Sequence, residues 1–276
     1  MTLDNTVRIE GPPASDSAHG EIRVDRTGAL VTLTINRPDK GNALTLAMYR
    51  ALADAVAEAD ADPDVRVIVL TGAGQDFCSG NDLDDFLAHS GTALTLSSPV
   101  LEFQKAVLHT NTLLVAAVDG PAVGSGATAL LHFDLVYATR RSHLQYAFVD
   151  SGVVPDAAAS LLLPQRLGPQ RAAQLLLLGE RLSAAQAAQL GLVTEVLDNR
   201  EGLEARVAEQ VAALLAAPAA ALRATRALLR PTGADPVLRM SAEAATSARL
   251  LGTADTAARI ASRAGGLLSA PYGSGS

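Results

Sequence analysis

An α/β core followed by an almost wholly helical region is the fold class that this sequence predicts, and three observations carry the prediction. Strand-like and helix-like segments alternate through the first half of the chain. Two apolar runs, at residues 65–70 (interrupted only by Arg66) and 114–118, are nearly continuous, as buried strands are. Beyond Pro155 the apolar period becomes mainly helical. Alternation of this kind builds a sheet covered by helices, whereas helices alone at the end need another surface to cover. A subunit interface is the natural candidate for that surface.

In chain order, residues 21–25 and 29–36 alternate apolar and polar positions around Arg26-Thr27-Gly28, the pattern of a hairpin with a short glycine turn. The stretch 37–42 breaks regular structure. From Thr45 to Asp60, Leu46, Tyr49, Leu52, Ala53 and Val56 share one helical face. The strand at 65–70 ends in Thr71-Gly72-Ala73-Gly74. After the loop 75–82 come a short helix at 83–88, a Gly/Ser/Thr-rich connection at 90–99, and a helix at 100–111 leading into the strand 114–118. A Pro/Gly turn and small residues then open another helix. Short strands are expected at 135–138 and 144–146, helices at 157–165, 170–178 and 183–190, and a last strand at 193–197. Ser183 and Gln186 form a possible capping box.

The chain has 276 residues, 49% of them hydrophobic, which suits one sizeable core plus an appendage. A net charge of −7 argues against a nucleic-acid partner, which requires a basic face. One cysteine, Cys78, allows no internal disulfide, and no Cys/His cluster has metal-ligand spacing, so no metal is expected. Residues 1–19 read as a mobile tail without a signal peptide. The apolar stretch 211–222 is shorter than the ~20 residues of a membrane span and is broken by Pro218. A soluble, cytoplasmic protein without a membrane partner is the expectation.

Asp119-Gly-Pro-Ala-Val-Gly-Ser-Gly-Ala-Thr128 places little or no side chain at a helix start, where unbonded backbone N–H groups meet an approaching anionic oxygen. Residues 124–129 also fit the G-x-G-x-x-A dinucleotide fingerprint. In that fingerprint the glycine follows its strand almost directly, whereas here residues 119–123 intervene, and no acidic residue closes a clear second strand. Cys78 beside Ser79 has no adjacent base and reads as a small buried residue.

The loop Asp76-Phe77-Cys78-Ser79-Gly80-Asn81-Asp82-Leu83, with Asn36-Arg37-Pro38 and Asn42-Ala43-Leu44 before it and the 119–134 stretch after it, resembles the enoyl-CoA hydratase/isomerase (crotonase) superfamily from about residue 21 to 197. The resemblance implies two backbone N–H donors, on Asn81 and Ser125, around the thioester oxygen of an acyl-CoA. Donors fixed in advance stabilise the enolate-like transition state, each by about 3 kcal/mol in studied cases. It also implies that Ala43, Ser79, Asp82, Leu83 and Thr128 line the acyl-CoA site and that Lys40 lies close to it. Taken singly, the glycines read as turn residues, Asp82 as a helix cap and Lys40 as a surface lysine.

Hydratases of the superfamily use two glutamates, and the matching positions here are Thr128 and Phe148, neither of which can act as the acid or base. The peroxisomal-type Δ3,Δ2-enoyl-CoA isomerases resemble this chain more closely, through Phe133-Asp134-x-Val136-Tyr137-Ala138 and Phe148-x-x-x-Gly152-x-x-Pro155-Asp156. Where that subgroup has its single glutamate this chain has Asp156, one methylene shorter. One carboxylate is enough to take a proton from C2 and return it to C4. Asp156 is therefore the candidate base, a helix N-cap its alternative role, and Asp150 the spare. No cofactor is implied, since coenzyme A arrives on the substrate. An acyl-CoA binder without turnover is the competing function.

The resemblance further implies a spiral of ββα units over residues 20–200, a C-terminal helical region over 201–276 that packs between subunits, and a homotrimer or dimer of trimers. Arg223, Arg226, Arg249, Arg259 and Arg263 are candidates to reach the CoA nucleotide, and Phe86, Leu87 and the connection 90–99 to shape the acyl pocket.

Overall fold

The computed structural model describes residues 21–89, 98–229 and 235–253, together with 256, 258 and 260–262. The tail 1–19, the 90–97 part of the connection, Arg259 and Arg263 lie outside the described residues.

β1 (Ile22–Thr27) and β2 (Leu30–Ile35) form the expected antiparallel hairpin, although its turn is Gly28-Ala29, with Arg26 and Thr27 inside β1. β3 (Val67–Gly72), β4 (Leu113–Val118), β6 (Leu135–Thr139) and β9 (Glu195–Leu197) add in parallel to give a six-stranded sheet of order β1-β2-β3-β4-β6-β9. A second sheet has order β5-β7-β8: β5 (Pro121–Val123), β7 (His143–Gln145) and β8 (Arg181–Ser183). β5 lies where the sequence predicted only a turn, and β8 was not foreseen. Pro121 is the first residue of its strand, a place where a missing N–H is tolerated.

The nearly continuous apolar runs are explained by burial on both faces. In β4, Leu114, Ala116 and Val118 face one cluster, which includes Met48, Leu52 and Val56 of α1 (Leu46–Ala61) and Phe103 and Val107 of α3 (Pro99–His109). The intervening Leu113, Val115 and Ala117 face Leu203, Val207 and Val211 of α8 (Arg200–Ala216). Each of these α8 side chains contributes roughly 1.5–3 kcal/mol by leaving water. This first helix of the appended region therefore has its covering surface inside the chain.

α2 (Leu83–Ala88), α4 (Ser125–Ala129), α5 (Ala159–Leu167), α6 (Pro169–Leu178) and α7 (Ala184–Gln189) complete the core, and the capping box of Ser183 with Gln186 is present. A 3-10 turn, Leu130–His132, continues α4. α9 (Ala219–Leu229) leaves α8 at 110°, and among the described residues no single helix is long and apolar enough to cross a membrane. Arg226 fixes α9 to the core by donating to Asp134 at 2.7 Å and to the Thr110 carbonyl. α10 (Pro236–Leu251) returns to pack on α3 and α5.

Candidate active site

Two turns are laced together by strand-like bonds. Leu44 N–H donates to Gly80 O at 2.8 Å and Asp82 N–H to Leu44 O at 2.9 Å. Cys78 N–H donates to Pro121 O at 3.0 Å, and Val123 N–H returns to Cys78 O at 2.9 Å. Glycines make this approach possible. At Gly80 (φ +96°) a Cβ would lie 2.9 Å from Val123 O, and at Gly126 it would lie 2.8 Å from the Cys78 Cβ.

The lacing uses the groups on either side of Asn81 and leaves the Asn81 N–H without an acceptor among the described residues. Ser125 is the first residue of α4, so its N–H has no intrahelical acceptor, and it too has none among the described residues. Two backbone donors thus stand on adjoining turns, the arrangement that accepts an oxygen gaining negative charge.

Asp156 joins them through side chains. Its Oδ2 accepts from Ser125 Oγ at 2.5 Å and its Oδ1 from Thr128 Oγ1 at 2.5 Å. Ser125 Oγ also lies 3.2 Å from Asn81 Oδ1, which accepts from the buried Tyr49 hydroxyl at 2.5 Å. Ser125 has one hydroxyl proton, so it cannot serve both acceptors at once. When Asp156 is ionised, Ser125 donates to it; when Asp156 is protonated, the carboxyl donates to Ser125 Oγ and the serine turns to Asn81. The same contacts fit both charge states. Burial pushes the Asp156 pKa above the usual carboxylate range, and the Ser125 and Thr128 hydroxyl donors, with the nearby Gln104 amide, pull it only part of the way back. Among the described residues no cation pairs with it.

A family model for enoyl-CoA hydratase/isomerase matches residues 25–254. This chain belongs to the enoyl-CoA hydratase/isomerase family. Rat enoyl-CoA delta isomerase 2 is 39% identical over 158 residues, covering 56% of this chain and 40% of the relative. Escherichia coli 1,2-epoxyphenylacetyl-CoA isomerase is 38% identical over 151 residues, covering 53% and 58%. Alternaria alternata enoyl-CoA hydratase ACTT3 is 35% identical over 164 residues, covering 58% and 55%. The chain thus spans about half the length of the curated relatives it matches. The solved structure of Pseudomonas aeruginosa OdaA superposes with a TM-score of 0.84 at 37% identity, over 88% of this chain and 98% of that one. The crotonase fold expected from the sequence is the observed fold.

Within this hydratase/isomerase fold, Gly41–Leu44 and Ser79–Leu83 run side by side, joined by Ser79 N–H to Gly41 O at 3.0 Å. Ala43 and Ser79 are half-buried on that rim, Leu83 opens α2, and Lys40 is exposed at the end of a 3-10 turn. The Asp82 carboxylate is fully engaged: it caps α2 through Asp85 N–H at 2.9 Å and pairs with Arg37 at 2.5 Å. Burial works against its charge, but these donors and the guanidinium hold its pKa below the usual range. Thr128 is buried and serves Asp156, as described above.

Three expectations are corrected. Asp156 does not cap the next helix, because α5 begins after Ala158, which is left-handed at φ 58°, and the Asp156 side chain turns to Ser125 and Thr128. Asp150 is exposed on the 3-10 turn Val149–Ser151, outside the cluster. Arg226 cannot reach a CoA phosphate, being 5% exposed and bonded to Asp134. Arg223 and Arg249 are exposed on their helices. Cys78 is buried with its thiol pushed up to about 12, chiefly by burial, so it is neutral and inert. Sequence reasoning missed the roles of Tyr49, Gln104 and Glu243, each of which sits on an amphipathic helix and reads there as ordinary helix sequence.

Proposed function

We propose that this protein is an enoyl-CoA isomerase that shifts a 3-enoyl-CoA double bond to the 2-position, in fatty-acid or related acyl-CoA breakdown. The thioester oxygen rests on the Asn81 and Ser125 N–H groups, and Asp156 takes a proton from C2. The electron pair left behind delocalises into a dienolate whose charge falls on the thioester oxygen, and Asp156 returns the proton to C4. Coenzyme A enters on the substrate, and this chemistry uses protein groups alone.

The observation that supports this reading is a buried carboxyl held by two hydroxyls and, among the described residues, by no cation, beside two backbone donors that have no acceptor among those residues. Ser125 belongs to both halves: its N–H faces the oxygen and its hydroxyl holds the base. Position 128 weighs against hydration, since it carries a threonine where the resemblance calls for a hydratase glutamate, and its hydroxyl serves Asp156.

Incubation of purified protein with a 3-enoyl-CoA, following 2-enoyl-CoA formation, tests the proposal. Absence of turnover with intact acyl-CoA binding would sink it in favour of a binding protein. Appearance of 3-hydroxyacyl-CoA from 2-enoyl-CoA in water would favour a hydratase. We also propose a cytoplasmic location, and a homotrimer or dimer of trimers; the assembly alone is supported by leucines left exposed on α9 and α10, with Leu228 at 86% and Leu238 at 69%. Light scattering on the purified protein checks the assembly, and a monomer would refute it.

A further inference from the structure

The backbone after Asp156 is unusual. Ala157 (φ 52°) and Ala158 (φ 58°) are successive left-handed residues without being glycine or asparagine, and both are buried. L-alanine resists this conformation because its Cβ crowds the following carbonyl, so a pair of such residues persists only where the surroundings fix it.

Three separate elements do the fixing. From α3, Gln104 Oε1 accepts the Ala157 N–H at 3.3 Å. From the 3-10 turn after α4, His132 Nε2 meets the Ala157 carbonyl at 2.7 Å. From α10, Glu243 Oε2 accepts the Ala158 N–H at 2.8 Å, and its Oε1 accepts both the N–H and the hydroxyl of Ser160, at 3.1 and 2.5 Å. A carboxylate supplies lone pairs for all three donors at once, and Glu243 is only 6% exposed. Two residues before Asp156, Ser247 of α10 meets the Val154 N–H at 3.3 Å and lies 3.4 Å from its carbonyl. Asp156 and Glu243 also line one small cavity of about 20 Å³, together with Gln104 and Met240.

We propose that Glu243 is a positioning residue for the reaction: from the C-terminal helix it holds the left-handed Ala157–Ala158 turn, and thereby sets the Asp156 carboxyl against Ser125 and Thr128. This inference rests on Asp156 being the base. Glu243 does a second thing, because its charge faces Asp156. From the other elements packed on it come uncharged Gln104 of α3 and Ser160 of α5, with His132 one residue away on the Ala157 carbonyl. Burial raises Glu243 to about 7, with the Asp156 charge adding and the Ser160 and Ala158 donors opposing. The Asp156 charge therefore discourages ionisation of Glu243, and the two carboxyls lose their protons in separate steps.

Glu243→Gln keeps the size, removes the charge, and turns a donor toward donors. It is expected to lower kcat about 30-fold with KM within about threefold, since misplacing a reacting group acts on the chemical step. Glu243 gains its charge near pH 7, so in wild type that charge reaches Asp156 as a second step in the kcat profile and in the Asp156 carboxyl carbon resonance, and Glu243→Gln removes the step. The NMR resonance of ionised Asp156 is also expected to move in Glu243→Gln, because the carboxyl leaves its two hydroxyl donors, and this reading needs no turnover. A packing role alone would change neither. Wild-type kcat together with an unmoved Asp156 resonance would overturn the inference. A moved resonance in a protein without isomerase turnover would retain the positioning and remove the catalytic reading. Should Glu243→Gln not fold, Ser160→Ala removes one donor and is expected to lower kcat about threefold and to move the same resonance; unchanged kcat with an unmoved resonance there would equally overturn it.

Discussion

Asp119 and Asp156 stand at the two ends of one functional stretch and are treated in opposite ways. Asp119, 4% exposed, accepts from Thr139 and Arg141, each at 2.7 Å, and pairs with Arg200 at 2.8 Å. Burial opposes its charge, yet the Arg141 and Thr139 bonds and the two guanidinium charges hold its pKa below the usual range. Asp156 has hydroxyls for neighbours, and burial carries its pKa upward. Guanidiniums lock a carboxylate in its charged form and make it structural, while neutral donors leave it free to gain and lose a proton. The turn that Asp119 anchors presents Ser125 and Thr128 to Asp156, so a charged lock supports a movable proton.

Exchanging the acid for an amide at each site should divide function from stability. Asp156→Asn is expected to lower isomerase kcat by about 10³-fold, the scale of a lost proton-transfer group, with an unfolding midpoint no lower than wild type. Steady-state kinetics and thermal melting check both halves. Asp119→Asn is expected to cost about 1–2 kcal/mol of unfolding free energy in urea, because two partly exposed guanidiniums lose their buried partner. Its kcat should fall far less than that of Asp156→Asn.

Thr128→Val sharpens the contrast on a smaller scale. It removes a donor to the charged form of Asp156, so the carboxyl titrates still higher, and kcat should drop about tenfold near neutrality while the acid limb moves to higher pH. With Asp156 as the proposed base, activity needs its ionised form, so kcat is expected to rise with pH through a midpoint above the ordinary carboxylate range. Stability should follow Asp119 in the other direction. Its folded pKa is depressed, so its contribution is present above the unfolded carboxylate value and is lost as pH falls through the folded one. Urea titrations from neutrality into acid should show that loss in wild type and a smaller one in Asp119→Asn.

The parts of this fold legible in the sequence are those whose cause is local. The apolar face of α1, the runs of β3 and β4, and the Ser183–Gln186 box each depend on neighbours within a turn or a strand. β5 and β8 are three residues each and exist through pairing with β7, which no local pattern announces. The start of α5 was misplaced for the same reason, since its cap is a carboxylate 85 residues away. At the site, Asn81, Ser125, Thr128 and Asp156 were readable through motifs that resemble a family. Tyr49, Gln104 and Glu243 were not, because their meaning lies in which helix face meets which loop.

The contact between Cys78 and Gly126 makes the one cysteine of this chain a clock for the joint between the two donor turns. Its sulfur is neutral, fully covered and packed where the turns meet. A thiol reagent in native buffer can consume it only when that joint parts, so the labelling rate counts openings of the proposed oxygen-binding gap. The count needs no probe added to the molecule, and ligands that occupy the gap should slow it.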